Sequence, residues 1–111
     1  MTMAIDAGAL TKQMSDAAFA VLKGKAPSIG AYVKGECAKI AQTFTTIEAG
    51  VLAGQISQEE AAVLLDMQKS ATRTVLLSAE GLGMLAVEQA INAALDVVKS
   101  VVNAALGFAL I

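Results

Sequence analysis

The side chains that most often perform catalysis or bind metals are scarce in this chain. It has no histidine, which removes the commonest general base and excludes Ser-His and Cys-His nucleophilic catalysis. Its single cysteine, Cys37, allows no internal disulfide and no zinc site of the usual Cys/His kinds. Cys37 also falls on an apolar helical stripe, where a cysteine packs as a small hydrophobic residue. These features predict a protein that is not an enzyme and that holds no cofactor or metal.

The ten acidic residues do not follow a metal-ligand pattern. Glu80, Glu88 and Asp96 are eight residues apart, so on a helix each is rotated by about 80° from the one before. They therefore do not converge on one cation. Glu59 and Glu60 are adjacent, but their position fits the start of a helix, where acidic residues complement the helix dipole.

Two glycine-containing segments match phosphate-binding loops only in part. Lys23-Gly24-Lys25 would need glycine at Phe19 and serine or threonine at Ala26 to complete a Walker motif. Gly81-Leu82-Gly83 lacks the third glycine and the preceding strand of a dinucleotide-binding fingerprint. The net charge is −2 and the chain has no basic stripe, so nucleic acid is not an expected partner.

The composition indicates that the chain contacts another molecule. Hydrophobic residues make up 56% of its 111 residues and charged residues 16%, whereas an ordinary soluble domain has about 45–50% apolar and about 25% charged residues. An excess of apolar surface favours burial against a partner. The sequence has no signal-peptide pattern, and no uncharged run reaches the roughly 18 residues of a conventional transmembrane span. Its localisation stays open, with association to an assembly or a membrane as the expectation.

Helical spacing of apolar residues predicts one all-α domain over residues 1–111, an antiparallel helical hairpin or bundle of three to four helices. The predicted helices cover about residues 2–23, 28–53, 57–80 and 84–110. Gly24 with Pro27 ends the first helix, and Gly54 ends the second. Ser57 and Glu60 have the spacing of a capping box that begins the third.

The short connection around Gly54 predicts that the second and third helices pack as an antiparallel hairpin. One face of each helix has apolar residues at spacings of three and four, and we expect these faces to pack together. The packing residues are Ile29, Val33, Ile40, Phe44, Ile47 and Val51 from the second helix and Leu64, Met67 and Val75 from the third. Because Gly81–Gly83 leaves little room for a reversal, we expect residues 57–110 to form one continuous or kinked helix, with a fold-back as the alternative.

The segment 84–110 has an unusually wide apolar face. Its polar residues fall within an arc of about 120° at 100° per residue, and the opposite half is apolar. Such a helix is either buried on most sides or laid against a partner or a lipid surface. The predicted interaction face consists of Val87, Ile91, Leu95, Val98, Val102, Phe108 and Leu110.

These features together predict a non-enzymatic structural subunit that self-associates through its apolar helices. The composition is typical of components of multi-copy assemblies, such as phage virion, tail or ejection proteins and membrane-associated rings or tubes. The expected partners are further copies of the chain, other proteins of one assembly, and a membrane contacted through residues 84–111. The alternative is a soluble helical adaptor or chaperone-like module that binds one protein partner on the apolar stripe of its second helix.

Overall fold

The chain is helical throughout the part that the structure describes. The computed structural model describes residues 4–23, 29–79 and 82–111, and no strand occurs among them. Four helices follow one another, namely α1 (Ala7–Val21), α2 (Ile29–Leu52), α3 (Gln58–Leu77) and α4 (Met84–Leu106). The predicted all-α bundle is confirmed, while the predicted helix stop at Gly24 and Pro27 lies outside the described residues.

Side chains placed just before two of the helices determine where those helices begin. Asp6 Oδ1 accepts a hydrogen bond from the Gly8 N–H (3.0 Å), so α1 begins directly after Asp6 and later than predicted. Before α3, the Ser57 hydroxyl accepts from the Glu60 N–H (3.1 Å), and the Glu60 carboxylate accepts from the Ser57 N–H (3.0 Å). This reciprocal pair confirms the predicted capping box.

The turn between α2 and α3 depends on two glycines. Gly54 has a φ of +71°, the left-handed conformation in which glycine has no steric penalty. The Gly50 carbonyl accepts from the N–H groups of Gln55 (2.8 Å) and Ile56 (3.1 Å), which folds the chain back over the end of α2. The Ile56 side chain then fills the space that a side chain on Gly50 would need. The predicted hairpin is present.

The core forms where all four helices face one another. Helix α1 packs extensively against α2 and α4, α2 also packs on α3, and the contacts of α4 with α2 and α3 are smaller. The largest fully buried apolar side chains are Phe44, Met14, Ile40, Ile47, Val33, Val87, Val98 and Val102. The α2 residues predicted to pack in the hairpin lie in this core, except that Val51 is half-buried.

The inward face of α3 differs from the predicted one. Its buried residues are Ala61, Leu65, Thr72 and Leu76. Met67 is 64% exposed, so the prediction that it packs inward is wrong, and Leu64 and Val75 are only half-buried. Large apolar residues occur on two adjacent arcs of α3, and their spacing alone favoured the wrong arc. Thr72 faces inward because its hydroxyl donates to a buried carboxylate oxygen of Glu36 (3.1 Å).

Helices α3 and α4 are separate, which corrects the expectation of one continuous helix. Helix α3 ends at Leu77, and Gly83, with extended backbone (φ −100°, ψ 169°), precedes α4. Arg73 and Glu88 form an ion pair across the two helices. In a continuous helix these residues would be about 22 Å apart, at 1.5 Å per residue. The chain therefore folds back here, as the alternative prediction had it.

A buried carboxylate holds the segment before α1 against the bundle. Glu48 is only 1% exposed, and its two oxygens accept the N–H groups of Ala4 (2.9 Å) and Ile5 (3.1 Å). A buried carboxylate is tolerated when its oxygens are hydrogen-bonded. The contact seats the Ile5 side chain in the core, 43 residues away along the chain.

Candidate interaction surface

The predicted interaction face of α4 lies inside the bundle. Val87, Val98 and Val102 are fully buried, and Ile91 and Leu95 are each 3% exposed. The wide apolar arc of α4 is used in contacts with the other three helices of the same chain. A partner would reach these side chains only by opening the bundle, so they form no contact surface in the folded chain.

The apolar residues that follow α4 also pack against the chain's own core. Gly107, with a φ of +82°, ends the helix, and the half-buried Phe108 and Leu110 lie on the core. Asn103 Oδ1 accepts the N–H groups of Leu110 (2.9 Å) and Ile111 (3.1 Å), which holds the tail back along α4. The tail thus covers core side chains and does not project from the bundle.

A groove of about 660 Å³ lies between α2 and α3 on the outside of the hairpin. Its lining is mostly apolar or uncharged and consists of Ala38, Lys39, Gln42, Thr43, Thr46, Leu64, Met67, Gln68 and Ala71. A second depression, lined by Ile56, Glu59, Glu60, Val63 and Leu64, adjoins the groove at Leu64. Val63 is 57% exposed, so this side of the molecule presents large apolar side chains to the exterior. Concave apolar surfaces of this kind are the usual form of binding sites.

Helix α2 borders the groove with a stripe of small side chains. At 100° per residue, seven positions fall within an arc of about 80°, and six of them are alanine, glycine or threonine. They are Ala31, Gly35, Ala38, Gln42, Thr46 and Ala49 of α2, and Ala53 directly after its last residue. Ala38 is half-buried and the others are exposed. Small side chains allow the backbone of another helix to approach closely. The groove and this small-residue stripe together form the α2–α3 face.

The positive charge of Lys39 in the groove is paired with the buried carboxylate of Glu36. Lys39 is the one charged residue among the nine that line the groove, and its Nζ lies 2.8 Å from Oε2 of the buried Glu36. The other Glu36 oxygen accepts from the Thr72 hydroxyl (3.1 Å), which in turn accepts from Gln68 Nε2 (3.1 Å). These partners satisfy the buried carboxylate, and they leave the floor of the groove close to neutral.

Among the described residues, the titratable groups with shifted pKa values lie at separate places in the fold. Burial raises the pKa of the Cys37 thiol, which disfavours the reactive thiolate. The hydrogen-bonded Arg73 guanidinium lowers the pKa of the Glu88 carboxyl, and this pair joins α3 to α4. Within residues 4–23, 29–79 and 82–111, no three metal-ligating side chains come together.

A second exposed apolar patch lies on α4. Val97 and Val101, one turn apart, are 49% and 48% exposed. They lie on the rounded outer surface of a single helix, whereas the α2–α3 face is a concave surface between two helices. None of the helices described here combines the length and the apolar character needed to cross a membrane.

Sequence reasoning found the α2–α3 face only in part. Leu64 and Met67 were predicted as packing residues of the hairpin, but they line its outer groove. Ala38, Gln42 and Thr46 were not singled out, because the prediction relied on the large apolar side chains of α2. The signal that could have found them is the run of small residues at spacings of three and four on the opposite side of the same helix.

Comparison with protein-family models, curated proteins and solved structures gave no match for this chain. Its function is therefore inferred from the α2–α3 face and from the chemistry of the described residues.

Proposed function

We propose that the chain is a non-enzymatic structural subunit that works through protein–protein contact at the α2–α3 face. The observation that carries this proposal is the concave, nearly uncharged and uncovered surface between α2 and α3. The interaction face that the sequence predicted on α4 is, by contrast, largely buried within the chain. A subunit of a multi-copy assembly would use such a surface to bind its neighbours.

The physical character of this face supports contact with protein. The centres of protein interfaces are depleted in charged residues and enriched in methionine and aromatic side chains. The groove has Met67 at its exposed edge, and its one cation is held by Glu36. By contrast, the polar side of α4 carries Asp96 and Lys99, both exposed. Burying that side would require charged groups to lose water.

The second candidate function is a soluble helical adaptor that binds one protein partner. The groove favours it specifically, since two antiparallel helices with apolar residues between them can accept an amphipathic helix of another protein. The docking face would then be the outer groove. Phe44 and Ile47, on the inward stripe of α2, are fully buried.

Site-specific photo-crosslinking in cells of the source organism tests the proposal. A benzophenone amino acid replaces Gln42 in the α2–α3 face, and the matched control replaces Asn92, an exposed uncharged residue on α4. We expect position 42 to form a discrete covalent adduct with a protein and position 92 to form none. Equal crosslinking at both positions, or none at position 42, would refute a dedicated contact surface there. Mass spectrometry of the adduct distinguishes a copy of the chain from another protein.

A further inference from the structure

Large exposed apolar side chains are concentrated at one end of the bundle. The ring of Phe19 lies beside Gly30, where an added Cβ would be 3.7 Å from it, so the end of α1 adjoins the start of α2. Helix α4 begins at this end as well, because it runs antiparallel to α3 and α3 runs antiparallel to α2. Among the described residues, nine large hydrophobic side chains are exposed, and five of them lie here, each in the terminal turn of its helix. The five are Phe19, Val21, Tyr32, Met84 and Leu85.

The charged residues are divided unequally between the two halves of the bundle. Lys12 and Asp16 pair with each other (2.9 Å) and add no net charge. Of the other described residues, the half with the five apolar side chains holds five cations and two carboxylates, and the opposite half holds one cation and six carboxylates. The first half contains Lys23, Lys34, Lys39, Lys69, Arg73, Glu36 and Glu88, and the second contains Lys99, Asp6, Glu48, Glu59, Glu60, Asp66 and Asp96. The five apolar side chains therefore lie at a basic end, and the opposite end is acidic.

We propose that this basic end docks on the surface of a lipid bilayer that contains anionic phospholipids. Apolar side chains with lysines beside them are the combination that binds at a membrane surface, where burial of apolar area and attraction to anionic lipids add together. The five apolar side chains enter the boundary between headgroups and acyl chains, and Lys23 and Lys34 meet the phosphates. The inference goes beyond the proposed function, because it uses a surface other than the α2–α3 face.

The depth of the apolar cluster matches that of a surface-bound protein. One helical turn is about 5.4 Å long, and helices in the membrane interface bury their apolar side chains about 5–10 Å deep. Tyr32 is 53% exposed, and its amphipathic ring suits the level of the headgroups. Lys23 and Lys34 are both exposed, and their long side chains let the ammonium groups reach the phosphates while the stems stay among apolar groups. One terminal turn of the bundle thus supplies both kinds of contact.

The width of the bundle favours a lipid surface over a protein at this end. The Cα atoms extend over 42 × 22 × 18 Å, so the end face has an area of about 400 Å², half of the roughly 800 Å² that each partner contributes to a standard protein interface. A fluid bilayer needs no complementary shape, so side chains that project from separate helices can all insert. The acidic end of a second copy is a poorer partner, because Asp6 and Glu60 there already accept N–H groups of their own chain.

Flotation of the full chain with lipid vesicles tests the proposal. We expect binding to vesicles of equal parts phosphatidylcholine and phosphatidylglycerol to be at least about 10-fold tighter than binding to phosphatidylcholine alone, and to weaken with added salt. Leu85→Glu places a charge among the apolar side chains and should raise the lipid concentration for half-maximal binding at least about 10-fold. Val101→Glu is the matched control, since Val101 is also exposed on α4 but lies away from the basic end. It should bind as the wild type does.

Neutralising the lysines separates the electrostatic contribution from the apolar one. Lys23→Gln combined with Lys34→Gln should weaken binding to the anionic vesicles about 10-fold or more and leave binding to phosphatidylcholine unchanged. Lys99→Gln, at an exposed lysine in the acidic half, is the matched control and should have little effect. Circular dichroism verifies that all variants keep their helices.

Tryptophan fluorescence shows which part of the molecule enters the lipid. The chain has no tryptophan, so a single introduced one reports its own surroundings. On addition of the anionic vesicles, the emission of Leu85→Trp should shift to shorter wavelength and should be quenched by brominated lipid. Val101→Trp should show neither change.

Each outcome supports or overturns docking at the basic end. Absence of flotation with the anionic vesicles, or equal loss of binding in Leu85→Glu and Val101→Glu, would overturn it. Equal quenching at positions 85 and 101 would place the side of α4 against the lipid and would overturn it as well. If Leu85→Glu instead lowers a concentration-dependent mass measured by light scattering without lipid, the end binds another copy and the lipid proposal fails. The photo-crosslink from position 42 tests the proposed function separately, so either proposal can fail without the other.

Discussion

Alanine substitution at Gly50 and at Gly35 should change the stability of the fold in opposite directions, although both glycines lie in α2. A Cβ at position 50 would lie 2.1 Å from Cδ1 and 2.4 Å from Cγ1 of Ile56. The Ile56 backbone cannot easily retreat, because its N–H donates to the Gly50 carbonyl (3.1 Å). At Gly35, a Cβ meets no atom within 4 Å.

The expected magnitudes follow from these distances. Gly50→Ala forces a displacement of more than about 1 Å in a packed turn, which costs about 3 kcal/mol of overpacking. The gain in helix propensity offsets about 1 kcal/mol of this, leaving a net loss of about 2 kcal/mol. Gly35→Ala should gain about 1 kcal/mol from helix propensity alone. At about 4 °C per kcal/mol for a domain of this size, Tm should fall by about 8 °C for Gly50→Ala and rise by about 4 °C for Gly35→Ala.

Urea unfolding followed by circular dichroism measures both effects, and two protein concentrations separate fold stability from association. In an Ile56→Ala background, the clashing Cγ1 and Cδ1 atoms are absent, so Gly50→Ala should lose most of its destabilising effect. The reasoning would be refuted if Gly50→Ala stabilised the chain as much as Gly35→Ala, or if Ile56→Ala made no difference to it.

Three further predictions concern single side chains. Glu48→Gln should lower the free energy of unfolding by about 1–3 kcal/mol. Each Glu48 oxygen accepts one N–H group, and the glutamine –NH2 that replaces one of these oxygens is a donor and cannot accept. An unchanged urea midpoint would contradict this. Asn103→Ala should speed amide hydrogen exchange in the residues after α4 and leave α2 protected, because it removes the acceptor of the Leu110 N–H (2.9 Å). Unchanged exchange in these residues would show that their apolar contacts alone hold them against the bundle. The pKa of Glu88 is lowered by Arg73, so the ionised carboxylate stabilises the fold above the ordinary glutamate pKa of about 4.3, and this contribution is lost as the pH falls through the lowered pKa. In Glu88→Gln, the free energy of unfolding should therefore fall less steeply as the pH is lowered below about 4.3. The same pH dependence in the variant and in the wild type would argue against the ion pair.

Local signals in the sequence were sufficient for the helical segments and for several of their ends, but not for the break between α3 and α4. The capping box of Ser57 and Glu60 and the left-handed Gly54 depend on residues within a few positions of each other, so their geometry can be derived without the rest of the fold. The inward stripe of α2 was also predictable, because one arc of that helix holds nearly all of its large apolar side chains.

The tertiary structure decided which surfaces are free. Apolar spacing indicates that a face is buried, but it does not say whether the face is buried against the same chain or against another one. For this reason the wide face of α4 was predicted to meet a partner, whereas Val98 and its neighbours lie in the chain's own core. Helix α3 has two apolar arcs, and only contacts distant in sequence, such as Thr72 with Glu36, select the inner one. The exposed position of Met67 and the groove beside it result from that choice, since what the bundle leaves uncovered depends on how all four helices pack.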